Sequence, residues 1–127
     1  MNSLDTNVVL RYLLDDIPEQ TLRAKGVIVG SPSYVTDVIV AETIFVLERV
    51  VGMDRIDIVR LIQMFLSLPT VVCNDYFLDQ AIALYGTKTA LSIVDCYAAT
   101  EAKVYGNSLM TFDKALVKYS GNHVLEP

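Results

Sequence analysis

Two cysteines, a single histidine and no long apolar run narrow the chemistry open to this chain. Cys73 and Cys96 share no metal-binding or redox spacing, and the expectation is two buried thiols in a reducing cytoplasm. His123 lies near the C-terminus in a strand-like segment and reads as structural. No Ser–His or Cys–His pair presents itself for covalent catalysis. The six glycines mostly end helices, so no phosphate-binding glycine loop is present. No apolar run reaches the ~20 residues that span a bilayer. Arg11, Glu42, Glu48 and Arg49 interrupt the best candidates. Asp5 and Arg11 fall where a signal peptide needs an unbroken apolar stretch, so a cytoplasmic location is expected and no membrane association. Repeats, low-complexity segments and linkers are absent as well.

A surplus of positive charge is also missing. The net charge is −5, and the ten basic residues are scattered without forming a single basic patch. Indiscriminate binding to nucleic acid through global charge is therefore not expected. A nucleic-acid enzyme stays open, because acids gathered around a divalent ion have their local field reversed by that ion. What the chain does have is apolar content: 53% of its 127 residues, with a mean hydropathy of +0.42. The length suits one domain, residues 1–127, with a real core. The apolar excess points to a large core or to surface covered by a partner, and self-association would serve.

Short strand-like segments alternate with helical ones. Residues 1–4 allow a brief first strand, although Asn2 and Ser3 are polar for a strand buried on both faces. Helices are expected over about 6–14 and 18–29, with Pro18 in the first turn of the second. Strand segments follow at Tyr34–Thr36, Thr70–Cys73, Ser108–Met110 and His123–Leu125. Between them, Asp37 is expected to cap a helix over 38–51 closed by Gly52, and Asp54 one that runs to about Leu68. Further helices are expected from Asp75 to Gly86, from Ala90 to Tyr105 and from Asp113 to Tyr119. This alternation predicts the α/β class, a three-layer α/β/α sandwich around a short parallel sheet of four to five strands.

Four acids have unusual settings. Asp5 stands between the first strand and a helical run, at the carboxyl end of a strand where open α/β sheets bind ligands; it would equally be a helix N-cap. Glu42 has Val38, Ile39, Phe45 and Val46 as helical neighbours, so it reads as set into an apolar stripe. It fits a structural acid paired with an arginine such as Arg49 as well as it fits a functional one. Asp95 reads as mid-helix among Leu91, Ser92, Ala98 and Ala99; it is either functional or bonded to Ser92 or a nearby backbone group. Asp113 lies just past the fourth strand and would also cap the helix behind it. Carboxylates that converge repel one another unless a cation sits among them, and all-oxygen ligands favour Mg²⁺ or Mn²⁺ over zinc.

The order of these segments resembles a known family. Leu4-Asp5-Thr6-Asn7-Val8, Val40-Ala41-Glu42 with Phe45-Val46-Leu47, Val94-Asp95-Cys96-Tyr97-Ala98-Ala99 and Thr111-Phe112-Asp113-Lys114 look like the four motifs of PIN-domain nucleases. The acids stand 37, 53 and 18 residues apart, and the resemblance covers almost the whole chain. The short single-domain form is similar to the VapC-type toxins of toxin–antitoxin pairs. That resemblance implies a divalent-metal-dependent endoribonuclease using Mg²⁺ or Mn²⁺, an RNA substrate, an antitoxin that blocks the site, and a homodimer. It carries over Asp5, Glu42, Asp95 and Asp113 as catalytic metal ligands, with Asn7 as a polar support. Two other readings compete: a receiver-type phosphoacceptor domain, and a non-catalytic module that keeps the fold. The first lacks paired early acids and a late Lys; the second has no need to keep four acids.

Overall fold

The computed structural model describes residues 1–74 and 76–127. Chain packing divides it into two compact units, Met1–Asn74 and Asp75–Pro127.

The first unit is a run of strand–helix–helix repeats. β1 (Asn2–Ser3), β2 (Ser33–Tyr34) and β3 (Val71–Val72) pair in parallel in the order β1-β2-β3, with Asn2 opposite Ser33 and Ser33 opposite Val71. Parallel neighbours need a crossover, and each crossover here is a helix pair. α1 (Thr6–Leu14) and α2 (Pro18–Gly30) make the first; α3 (Asp37–Val46) and α4 (Arg55–Leu66) make the second. The ladder continues past the two-residue strands through Leu4 N–H to the Tyr34 carbonyl (2.9 Å) and Val35 N–H to the Val72 carbonyl (2.9 Å). β1 is exposed at both residues, as its polar sequence requires at the end of a ladder.

Apolar spacing accounts for the helices. α1 buries Val9 and Leu10, α2 buries Thr21, Ala24 and Ile28, and α4 buries Ile58, Ile62 and Phe65. α1 stops at Asp15, which takes a left-handed conformation (φ 51°). α2 starts with Pro at its first position, as expected, and Thr21 Oγ1 donates to the Arg11 carbonyl at 2.9 Å to tie it to α1. After Val46, α3 widens into a π-helical segment, Leu47–Val51, closed by Gly52 at φ 78°. Glu48 there accepts from Arg55 Nε at 2.9 Å, which fixes the entry to α4.

In the second unit, α5 (Asp75–Thr87) and α6 (Ile93–Val104) pack along each other, and α7 (Lys114–Tyr119) lies between β4 (Leu109–Met110) and β5 (Val124–Leu125). β4 and β5 are again parallel, with Leu109 opposite Val124. Phe77 holds the helix pair edge-on against Tyr97, ring centroids 5.1 Å apart. His123 is structural, as expected: Nε2 donates to the Ala99 carbonyl at 2.7 Å, and the His123 carbonyl accepts from Leu109 N–H at 2.8 Å. Cys96 is buried as expected, whereas Cys73 is only half-buried.

The α/β class and the all-parallel pairing agree with the sequence pattern, with the ladders dividing into three strands and two. Among the described residues, no helix is long and apolar enough to cross a membrane. Several element boundaries differ from expectation by one to three residues. Thr36, not Asp37, caps α3, its Oγ1 accepting from Ile39 N–H at 3.2 Å, so the second strand ends at Tyr34. α5 runs through Gly86 to Thr87. α6 begins at Ile93 rather than Ala90, because Ser92 caps it.

Candidate functional site

Asp5 occupies the N-cap position of α1 with an extended backbone (φ −87°, ψ 159°), yet its side chain makes no capping hydrogen bond. The ordinary explanation for an Asp there is the capping bond. It is exposed, while Leu4 and Thr6 on either side are 5% exposed and anchor the turn. Its carboxylate therefore faces water at the carboxyl end of β1, with neither oxygen bonded among the described residues.

Thr6 is the residue that sequence reasoning missed. Its Oγ1 donates to Glu42 Oε2 at 2.7 Å, joining the first turn of α1 to α3. A signal for it existed. A buried Thr inside a helix satisfies its hydroxyl on a carbonyl three or four residues back. At the first helical position no such helical carbonyl exists, so the hydroxyl needs another acceptor. The bond sets Glu42 beside the residue next to Asp5 and leaves Oε1 without a partner among the described residues. Thr6→Val should lower stability by about 1 kcal/mol, a few degrees in melting temperature. Thr6→Ser, which keeps the hydroxyl, should restore most of it; thermal melts of the pair check this.

The setting of Glu42 needs correcting. It is exposed, not embedded: Val38 is 74% and Phe45 52% exposed on the same side. The buried side of α3 carries Val40, Thr43 and Ile44. α3 is apolar nearly all round, so apolar neighbours do not reveal which side faces the core. The expected partner Arg49 is exposed and forms no ion pair with Glu42 among the described residues.

Asp95 also moves. It is the third residue of α6 rather than mid-helix, and it completes a capping box. Ser92 Oγ accepts from Asp95 N–H and Asp95 Oδ2 accepts from Ser92 N–H, both at 3.1 Å. The simpler reading, a bond to Ser92, is thus correct, and it leaves Oδ1 unbonded among the described residues. Ser92→Ala should cost about 1 kcal/mol. The Ser92 backbone N–H that holds the Asp95 carboxylate is kept in this variant, so the melting temperature should fall by a few degrees while cleavage stays near that of the parent.

Asp113 caps α7, Oδ1 accepting from Leu116 N–H at 3.1 Å, while its own N–H donates to Thr111 Oγ1 at 3.0 Å. Asn7 is exposed in the first turn of α1. Asp5 and Glu42 belong to the first unit, Asp95 and Asp113 to the second. Within each unit, among the described residues, no three Asp, Glu, His or Cys side chains are grouped to hold a metal ion. The donor chemistry nonetheless fits a hard divalent cation. All four are exposed or half-exposed carboxylates, each with at least one oxygen unbonded among the described residues, and internal bonds fix the rotamers of three.

The profile of the PIN domain family matches residues 3–122. The chain belongs to the PIN domain family. No curated protein and no solved structure matches it. PIN domains are generally nucleases, hydrolases of phosphodiester bonds, and generally use divalent metal ions. This membership replaces the receiver-type reading. Within the PIN domain, the match spans Asp5, Glu42, Asp95 and Asp113.

Proposed function

We propose that this PIN domain is a divalent-metal-dependent endoribonuclease, and that it serves as the toxin of a toxin–antitoxin pair. The observation that carries the nuclease reading is Asp5: a carboxylate at a strand end and helix start that makes no capping bond. Asp5, Glu42, Asp95 and Asp113 are the proposed ligands of Mg²⁺ or Mn²⁺. A divalent ion held by them supplies Lewis acidity toward the phosphate and activation of a water. The protein's own residues then have distinct tasks. Thr6 holds the Glu42 carboxylate by its Oε2 and leaves Oε1 for the ligand role. Ser92 does the same for Asp95, and the α7 backbone for Asp113. Asp5, with both oxygens unbonded among the described residues, would be free to hold the cation or to orient the attacking water. Asn7, exposed one position beyond Thr6, is assigned as a polar support on the motif resemblance alone; among the described residues its side chain bonds none of the acids.

Dimerisation is supported by exposed apolar side chains on the π-helical segment and α4: Val50, Ile56 and Met64, the first 75% exposed. The antitoxin partner rests on the resemblance of the four motifs to VapC-type toxins. Sedimentation should show a dimer at micromolar concentration; monomer alone would remove that part. The nuclease reading is tested by incubating the protein with single-stranded RNA and DNA of one sequence in Mg²⁺ or Mn²⁺. Internal cuts in the RNA that excess chelator abolishes are the expected result. Full activity in chelator would remove the metal-dependent mechanism, and DNA cut in preference to RNA would remove the substrate assignment.

A further inference from the structure

A pocket of about 310 Å³ opens between α1 and α2, and it is lined on its polar side by Asn7, Arg11, Gln20 and Arg23 and on its apolar side by Val8 and Val27. Among the described residues, no carboxylate lines it. Arg11 is the informative member. Its side chain is only 20% exposed, and Nη1 reaches Asp16 at 3.2 Å. Its Nε is buried and has no acceptor among the described residues. A buried guanidinium N–H without an acceptor is costly, and such a group calls for an explanation. Arg23 is 78% exposed and only loosely held by Glu19 at 3.9 Å, so it can turn toward the pocket. Asn7 and Gln20 add amide donors. The wall thus offers many donors and two guanidinium forks, a set that matches a phosphate.

We propose that the Arg11–Arg23 pocket is a phosphate subsite for the RNA strand, flanking the bond that is cut. The inference rests on the nuclease reading above and adds a binding site to it. Position favours a strand over a partner protein's carboxylate. Arg11 and Asn7 are on the helix that Asp5 begins, and six residues at 1.5 Å rise put Arg11 about 9 Å along the axis from Asp5. Six residues at about 100° each also place Arg11 about a third of a turn round the axis from Asp5, so a strand presented to Asp5 at the start of α1 reaches the pocket by curving round the helix, and the phosphate taken there flanks the cleaved one on the same strand.

The test measures binding of a short fluorescein-labelled single-stranded RNA over a range of salt, in an Asp5→Asn background that does not cut it. Arg23→Ala and Arg11→Gln should each weaken binding about 10-fold at low salt. Each should also reduce the slope of log K against log salt by about 0.7, the value for one phosphate contact on a single strand. Arg11→Lys should keep the slope and lose part of the affinity, since the charge remains and the fork does not. Arg23 is exposed, so Arg23→Ala decides the question even where an Arg11 variant folds poorly. RNA binding and slope unchanged in Arg23→Ala and in a folded Arg11→Gln would overturn the subsite and leave the pocket to a carboxylate-bearing protein. Parent protein that neither cuts nor binds RNA would overturn the nuclease reading, and the subsite with it; parent that cuts while the variants bind normally isolates the failure to the subsite.

Discussion

Asp5→Asn should slow RNA cleavage by roughly 10²-fold or more while hardly changing the melting temperature. The two halves of this expectation have one cause. At most helix starts, changing the cap residue alters stability, because its side chain bonds the first-turn N–H groups. The Asp5 side chain makes no such bond. Asn is as good a cap residue as Asp, so nothing structural is removed and one ligand charge is. Cleavage assays beside thermal melts decide it. A folded Asp5→Asn protein with parental activity would show that the carboxylate has no part in the chemistry.

Asp95→Asn should lose cleavage by a similar factor, and the comparison with Ser92→Ala separates two roles for Asp95. The amide of Asn keeps a carbonyl oxygen, so the bond accepted from Ser92 N–H in the capping box can persist. What goes is one negative charge in the first turn of α6, where it interacts favourably with the helix dipole by about 0.3–1 kcal/mol. The apo variant should therefore melt within a few degrees of the parent. Mn²⁺ should separate them: an ion at about 100 times its dissociation constant stabilises the folded state that binds it by about 2.7 kcal/mol. That gain should appear in the parent and shrink in Asp95→Asn. If instead Asp95→Asn retains cleavage, and Mn²⁺ shifts both melting curves equally, Asp95 is a capping residue and nothing more.

Much of this is legible in the chain. The apolar spacing of Val9, Leu10, Leu13 and Leu14, ended by a Pro-containing turn, defines α1 to within a residue. The β-branched Thr70–Val71–Val72 marks β3, and the alternation of such segments with helices dictates parallel pairing. The limits lie where local pattern carries no direction. α3 is apolar on nearly every side, so its sequence cannot say that Val40 and Ile44 face inward while Glu42 faces out. Ser92 and Asp95 both stand out in the sequence, but the capping box that places Asp95 in the first turn depends on where the helix starts, the least determinate feature of a helical pattern. The Thr6–Glu42 bond spans 36 residues, and only the fold reveals which acceptor the Thr6 hydroxyl finds.

Asp5, Glu42, Asp95 and Asp113 are proposed to act together on a divalent ion. The most direct test is Mn²⁺ binding to the purified protein, followed by the loss of the free-ion paramagnetic resonance signal, for the parent and for Asp5→Asn, Glu42→Gln, Asp95→Asn and Asp113→Asn. Saturable binding is expected in the parent, weakened about 10-fold or more by the first three substitutions and less by Asp113→Asn, whose carboxylate also caps α7. Parent protein that binds no Mn²⁺, or binding that none of the four substitutions alters, would contradict it.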